Sequence, residues 1–414
     1  MRILEPKDFY RQSTKRKRRA PKHWRVLIVS LVLVAVTSYS VHLYRRPLPT
    51  LIPKTTTISV QPGKIKLDWP EAGQAAIGAL DYGVLASNGE QKAAPMASTA
   101  KVMTALAVLR KKPLAAGQQG PILTLTADDV SLFEDYVARG GSYVTVNEGE
   151  EISEYQALQA LMLPSANNIA DTLAIWTFGS MDNYLGYAND LAAKLGLSNT
   201  HLADASGFSP ETVSSASDLV LLGQAAMREP ALAEIVGQAS ADLPVAGNVD
   251  NVNKLLGQDG IIGIKTGNTD EAGGCYIFAA KHTYDDKQAV TVIGAFMGAS
   301  SLKEAFIATK PLLASSVQNF VKTTVIKRGQ LIGQYHLPWG GTVAAVAERD
   351  ISMFGWNGDG TKVTSKLNTL ARPQNSKSIV GAVIVQTREG PKKVSAVLNN
   401  DAPSPGLRWR LWRD

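Results

Sequence analysis

At 414 residues with 45% hydrophobic residues, the chain can bury a sizeable core, and its length suggests two or three domains. The formal charge of +7 sits at one end: residues 1–46 hold twelve Lys or Arg against Glu5 and Asp8, so the rest sums to about −3 and is no basic nucleic-acid binder. Cys275 is the single cysteine, which excludes an intrachain disulfide, and the five histidines are scattered without metal-ligand spacing, which argues against a metalloenzyme.

The N-terminal cations, KRKRRAPKHWR, lead into VLIVSLVLVAVTSYSVHLY at residues 26–44. Those 19 residues are just enough to cross a bilayer as a helix, and the basic excess before them predicts a cytoplasmic N-terminus. The expected order is a basic cytoplasmic tail (1–25), a transmembrane signal anchor (26–44) and a Pro- and Thr-rich extended stalk (45–64). A cleaved signal peptide is the rival, since the strongly apolar part is only Val26 to Val36 and Ser38-Tyr39-Ser40 is a weak small-x-small site. Both readings place the globular part beyond the membrane.

From residue 65 the chain reads as folded. QAAIGALDYG and GVLASNGE suggest strands, followed by PMASTAKVMTAL, which opens a helical run from Ser98 to Arg110 with Val102, Ala105, Leu106 and Leu109 at helical spacing. Ser98 and Lys101 are three apart and share one face of that helix, so the amine can reach the hydroxyl: a nucleophile beside a base. The helix's first-turn N–H groups would lie beside an oxyanion formed there. Spacing alone is weak evidence, because Ser300 and Lys303 repeat it.

EYQALQALML reads as an amphipathic helix broken at Pro164, with Ser165-Ala166-Asn167 in the break; small polar residues in that setting are usually caps. IIGIKTGNTDEAGGCYIFAAKH and QAVTVIGAFMG read as an antiparallel meander with Lys265-Thr266-Gly267 on its leading strand, and Cys275 reads as a buried, inert thiol. A helix, LKEAFIATKPLLASSVQNF, returns across the sheet. Beyond about Lys322 the texture turns to short strands. An all-β domain is expected over 321–400, and in the 401–414 tail Leu407, Trp409 and Leu411 alternate with Arg408 and Arg410, a pattern that suits a strand edge or an interfacial contact.

Ser98-x-x-Lys101, Ser165-x-Asn167 and Lys265-Thr266-Gly267 follow one another at separations of 67 and 100 residues. In that order they are the motif set of penicillin-binding proteins and class A β-lactamases. PMASTAKVMTAL, GGSYVTVNEGEEIS, LMLPSANNIADTLA, DASGFSPETVSSASDLVLLGQ and GIKTGNTDEAG resemble, more narrowly, the low-molecular-mass D-alanyl-D-alanine carboxypeptidases. The resemblance is close over about 65–315, and the β-rich tail resembles more loosely the domain that often follows.

That resemblance implies an α+β fold, with a penicillin-binding, β-lactamase-like catalytic domain at 65–320 built from an antiparallel sheet with helices and a helical subdomain, ahead of the small all-β domain. It implies a serine-type carboxypeptidase of cell-wall maturation that removes the terminal D-Ala of peptidoglycan stem peptides, is acylated by β-lactams, and uses no metal or cofactor. Ser98 would be the nucleophile and Lys101 its base, a Lys made neutral by desolvation and by the like charge of Lys265. Ser165 would relay a proton to the leaving amine, and Asn167 would hold Lys101 and the substrate amide. Lys265 and Thr266 would receive the terminal carboxylate, with Gly267 between them and Asn268, whose N–H joins that of Ser98 in the oxyanion hole. An Arg that many members carry after the third strand is replaced here by MGASSLKEAF, where Lys303 lacks the bidentate fork. The alternatives are a D-Ala cross-link endopeptidase with the same residues, a β-lactamase, for which no Glu-x-x-Leu-Asn element is present, and a non-catalytic wall-binding protein.

Overall fold

The computed structural model describes residues 22–413 apart from Asp286 and Glu389, so positions 1–21 of the expected cytoplasmic tail lie outside the described residues. Two compact units share the chain. One is Gln61–Thr323 with Phe354–Gly360; the other takes the chain up to Val60 together with Thr324–Met353 and the stretch from Thr361 onward.

The first unit is built on a five-stranded antiparallel sheet, in the order Ile261–Thr269, Gly273–Thr283, Ala289–Ala299, Gln74–Ala79, Gly83–Asn88. Strand Gly273–Thr283 shows why the fold follows from the sequence. Its side chains alternate between two cores: Cys275, Ile277 and Ala279 face one, and Tyr276, Phe278 and Ala280 face the other. A strand buried on both faces reads as a continuous apolar run rather than an alternating one. The Tyr276 face is covered by helix Leu302–Val317 through Ala305, Leu312 and Leu313. The Cys275 face packs on helix Ala216–Met227, whose Leu219, Val220 and Leu222 join the larger core. Cys275 is fully buried, and burial pushes its thiol up to about 11, as expected of an inert cysteine.

Helices Lys101–Lys111, Glu154–Met162, Asn167–Phe178 and Met181–Lys194 belong to the same large core. Helix Lys101–Lys111 is buried from Lys101 through Leu109, so it is a central helix rather than an amphipathic surface one. The Ile261–Thr269 strand ends the sheet and presents an unpaired edge toward the turn that carries Ser98. The mixed α and antiparallel β architecture expected from the sequence is thus present.

The second unit holds a six-stranded antiparallel sheet, in the order Pro53–Thr55, Leu331–His336, Thr342–Ala347, Gly390–Leu398, Ile379–Thr387, Val363–Leu367. Its first strand corrects the expectation of a free stalk over 45–64. Lys54 pairs with Gln334, Leu51 bridges to Leu370, and Leu51 is buried with Tyr335 and Val343. Pro53 is tolerated because it opens an edge strand, where a missing N–H costs no ladder bond.

Helix Lys22–Arg45 precedes this sheet, and its stretch His23–Arg45 is long and apolar enough to cross a membrane. Of the two alternatives for the C-terminal tail, the strand edge does not form: Leu407–Trp412 is a short helix, with Trp409 edge-on to Trp339 at 5.3 Å and the Arg410 guanidinium 4.7 Å over the Tyr44 ring.

Candidate active site

Ser98 does not begin an α-helix. It lies in a 3-10 turn, Ala97–Ala100, that runs into helix Lys101–Lys111, and Ala97 before it adopts a left-handed φ of 46°. The turn leaves Ser98 half-buried while the Lys101 side chain goes fully inside. The Lys101 amine has three oxygen neighbours: Ser98 Oγ at 2.9 Å, Asn167 Oδ1 at 2.6 Å and the Ser206 carbonyl at 2.8 Å. The last two can only accept, so two N–H bonds of Lys101 are committed to them. The remaining position faces the Ser98 hydroxyl, and in a neutral amine that position is the lone pair.

Burial lowers the Lys101 amine from 10.5 to about 7, against the opposing pull of the Asp204 and Asp171 carboxylates. Lys265 is also fully buried, and burial followed by the charge of Lys101 pushes it well below its ordinary value. Desolvation is thus the leading reason that Lys101 loses proton affinity, as expected, and like-charge repulsion is shared between Lys101 and Lys265. The Lys265 amine donates to the Thr266 carbonyl at 3.2 Å.

Strand and turn meet closely because of one glycine. A Cβ on Gly267 would stand 2.9 Å from the Ser98 nitrogen and 3.1 Å from Ala97 Cβ, so any larger residue would push the strand off the turn. Thr266 is buried beside it, and Asn268 is exposed where the strand leaves the site. From the helical side, Asn167 opens helix Asn167–Phe178, and its N–H donates to the Ser142 carbonyl at 2.8 Å. Ser165, with a φ of 72°, is buried in the break before it but is not among the three oxygen neighbours of Lys101.

Sequence reasoning quoted the segment DASGFSPE without giving any of it a role. The structure places Ser206 on Lys101, and Gly207, at φ 73°, so close to Ala97 that a Cβ would overlap its carbonyl oxygen. Asp204 holds this loop: its carboxylate accepts from the Ser206 and Thr212 hydroxyls and from the N–H groups of Gly207, Phe208 and Ser209. An Asp followed by small residues and a Gly is a legible turn signal, although its target is not.

A family-wide sequence comparison matches residues 72–301 to peptidase S11, D-alanyl-D-alanine carboxypeptidase. The chain belongs to this family. It is 27% identical over 255 residues to the D-alanyl-D-alanine carboxypeptidase DacF of Bacillus subtilis (strain 168), a match covering 60% of this chain and 62% of that protein. To DacB2 of Mycobacterium tuberculosis (strain ATCC 25618 / H37Rv) it is 34% identical over 230 residues, covering 53% of this chain and 75% of that one. To DacA of Escherichia coli (strain K12) it is 28% identical over 258 residues, covering 61% and 62%. The chain thus spans less than two thirds of the length of the Bacillus and Escherichia relatives. Among solved structures, penicillin-binding protein 5 from Haemophilus influenzae superposes with a TM-score of 0.56 at 19% identity, covering 83% of this chain and 100% of that one. The Streptomyces K15 DD-transpeptidase superposes with a TM-score of 0.52 at 24% identity, covering 62% and 98%. Both structural likenesses speak for the fold.

Proposed function

We propose that this S11 family member is a serine-type D-alanyl-D-alanine carboxypeptidase acting on peptidoglycan stem peptides. The observation that carries the reading is the fully buried Lys101 amine with its free position on the Ser98 hydroxyl. Ser98 Oγ gives its proton to Lys101 as it bonds to the carbonyl carbon of the penultimate D-Ala. The C–N bond to the terminal D-Ala then breaks, and the departing nitrogen takes the proton by way of Ser165. Water attacks the ester left on Ser98, and its proton restores the Ser98 hydroxyl as the shortened stem peptide leaves. Asn167 holds the Lys101 amine and the substrate amide. The N–H groups of Ser98 and Asn268 receive the oxyanion, a role favoured by the closeness of the Gly267 strand to the Ser98 nitrogen.

Lys265 and Thr266 receive the terminal carboxylate. Lys303 is exposed at the start of helix Leu302–Val317, a point charge in place of the family's Arg. The free edge of strand Ile261–Thr269 suits pairing with an extended peptide. The apolar helix supports a single-span anchor, with Arg25 inside and Arg45 outside; a mature chain starting near Val41 would show a cleaved signal instead.

The test is intact-protein mass spectrometry after incubation with benzylpenicillin. One covalent equivalent is expected, located on Ser98 and absent from Ser98→Ala. An adduct on Ser300, or none at all, overturns the reading, the second outcome pointing to a non-catalytic wall-binding protein. Products from monomeric and cross-linked muropeptides then separate carboxypeptidase from endopeptidase.

A further inference from the structure

Asp171 lies one helical turn beyond Asn167 on helix Asn167–Phe178, so both project from one face. It is 9% exposed, and its two oxygens are unequal. Oδ2 accepts from the Tyr136 hydroxyl at 2.8 Å, whereas buried Oδ1 has no hydrogen-bond partner among the described residues. Tyr136 comes from another element, helix Ala127–Ala138, and is 5% exposed. Its ring stands edge-on to Phe208 at 5.7 Å, and its hydroxyl is 3.5 Å from Ser206 Oγ. The Ser206 carbonyl is one of the groups that hold Lys101. Tyr136 thus holds Asp171 next to the residue that grips the amine, with the Tyr136 proton on Asp171 and the Ser206 hydroxyl proton on Asp204.

We propose that Asp171, aimed by Tyr136, is a positioning residue that sustains the basicity of Lys101. The inference rests on Lys101 being the base. An ammonium buried without counter-charge loses so much proton affinity that its amine becomes a feeble base, and Brønsted behaviour then slows proton removal from the hydroxyl. Two carboxylates oppose that loss. Asp204, the larger of the two influences, also holds five donors of its own loop. Asp171 has one donor and a spare oxygen, and its field adds to that of Asp204 on Lys101.

The other groups facing Asp171 are few. Arg139 is stacked on Phe208 at 4.6 Å and over Tyr136 at 5.5 Å, and is paired with Asp135 at 2.8 Å. Lys101, Asp204 and the buried Tyr184 complete the set, with Lys265 acting through Lys101. Burial raises the Asp171 carboxyl to about 6 and the Tyr136 hydroxyl, its donor, counteracts this, so Asp171 is mostly charged at neutral pH.

Second-order acylation by benzylpenicillin, followed from about pH 5 to pH 9, tests the proposal. Asp171→Asn keeps shape and can still accept from Tyr136 but removes the charge. Its acid limb is expected to move to lower pH by roughly half a unit to one unit, with a lower plateau, because the amine stays unprotonated longer but is a weaker base. Tyr136→Phe is expected to move the limb the same way by less, and to add nothing in the Asp171→Asn background. Acid limbs that superimpose on the wild type, or move to higher pH, overturn the proposal whatever happens to the plateau. If Asp171→Asn does not fold, the same limb in Tyr136→Phe decides. Failure of the underlying reading looks different: Lys101→Ala would keep the wild-type rate and acid limb.

Discussion

Ser98–Lys101 and Ser300–Lys303 share residue types and spacing, and they differ in everything the fold adds. Ser98 lies in a 3-10 turn whose next residues dive inward, so Lys101 loses its water and meets three oxygens. Ser300 and Lys303 are both exposed around the start of helix Leu302–Val317, where the neighbouring Ser301 serves as N-cap by accepting from the Glu304 N–H at 3.2 Å. One pair lies in a buried polar cluster and the other is a helix start. The spacing places two groups on a common face, and desolvation lowers the proton affinity of the amine.

The largest expected effect breaks the comparison directly. Lys101→Ala should lower the second-order acylation rate by about a hundred- to ten-thousand-fold, the usual worth of a general base, whereas Lys303→Ala should leave acylation within a few-fold. Comparable losses in both would mean that burial does not separate the pairs.

A smaller effect is expected at Lys265, buried like Lys101 but held by its own strand. Lys265→Ala should cost nearer the lower end of the same range, because the Thr266 hydroxyl remains to receive the carboxylate. Acylation rates of the two folded variants with one penicillin give the ranking; greater damage in Lys265→Ala would require the base to be reassigned.

The smallest effect carries the burial argument to a group outside the site. Glu154 is fully buried at the start of helix Glu154–Met162; neither of its oxygens has a hydrogen-bond partner among the described residues, and burial raises its carboxyl to about 7. With the folded value above the unfolded one, the folded state holds more protons between about pH 4.5 and pH 7, so stability falls as pH rises through that window. Glu154→Gln should therefore raise Tm by roughly 2–4 °C at pH 8 and change it little at pH 4.5. Thermal melts at both pH values check this, and a gain confined to low pH would show that the carboxyl is not held neutral by burial.

Much of the fold was legible because it is written in local pattern. Apolar runs bounded by Gly-rich turns marked the meander, and the break at Pro164 marked where Ser165 and Asn167 would lie. The stalk, and the strand-edge alternative for the C-terminal tail, fail for one reason. TLIPKTTTISV has a stalk's composition, yet the Pro53–Thr55 backbone pairs with strand Leu331–His336 and Leu51 bridges to Leu370. LRWRLW alternates like a strand and folds as a short helix. Local propensity does not say which distant backbone is available to pair.

The sequence by itself determined the order of the motifs, the face shared by Ser98 and Lys101, and the apolar segment at 26–44, since each is read from residues close together in the chain. Only the tertiary structure decided that Lys101 is gripped by the carbonyl of Ser206, 105 positions away, that Gly267 lets a strand lie against Ser98, and that Asp171 is held near that residue by Tyr136. The physical reason is that basicity is set by solvent exclusion and by charges arriving from other parts of the chain. Neither exists until the chain has closed around the amine.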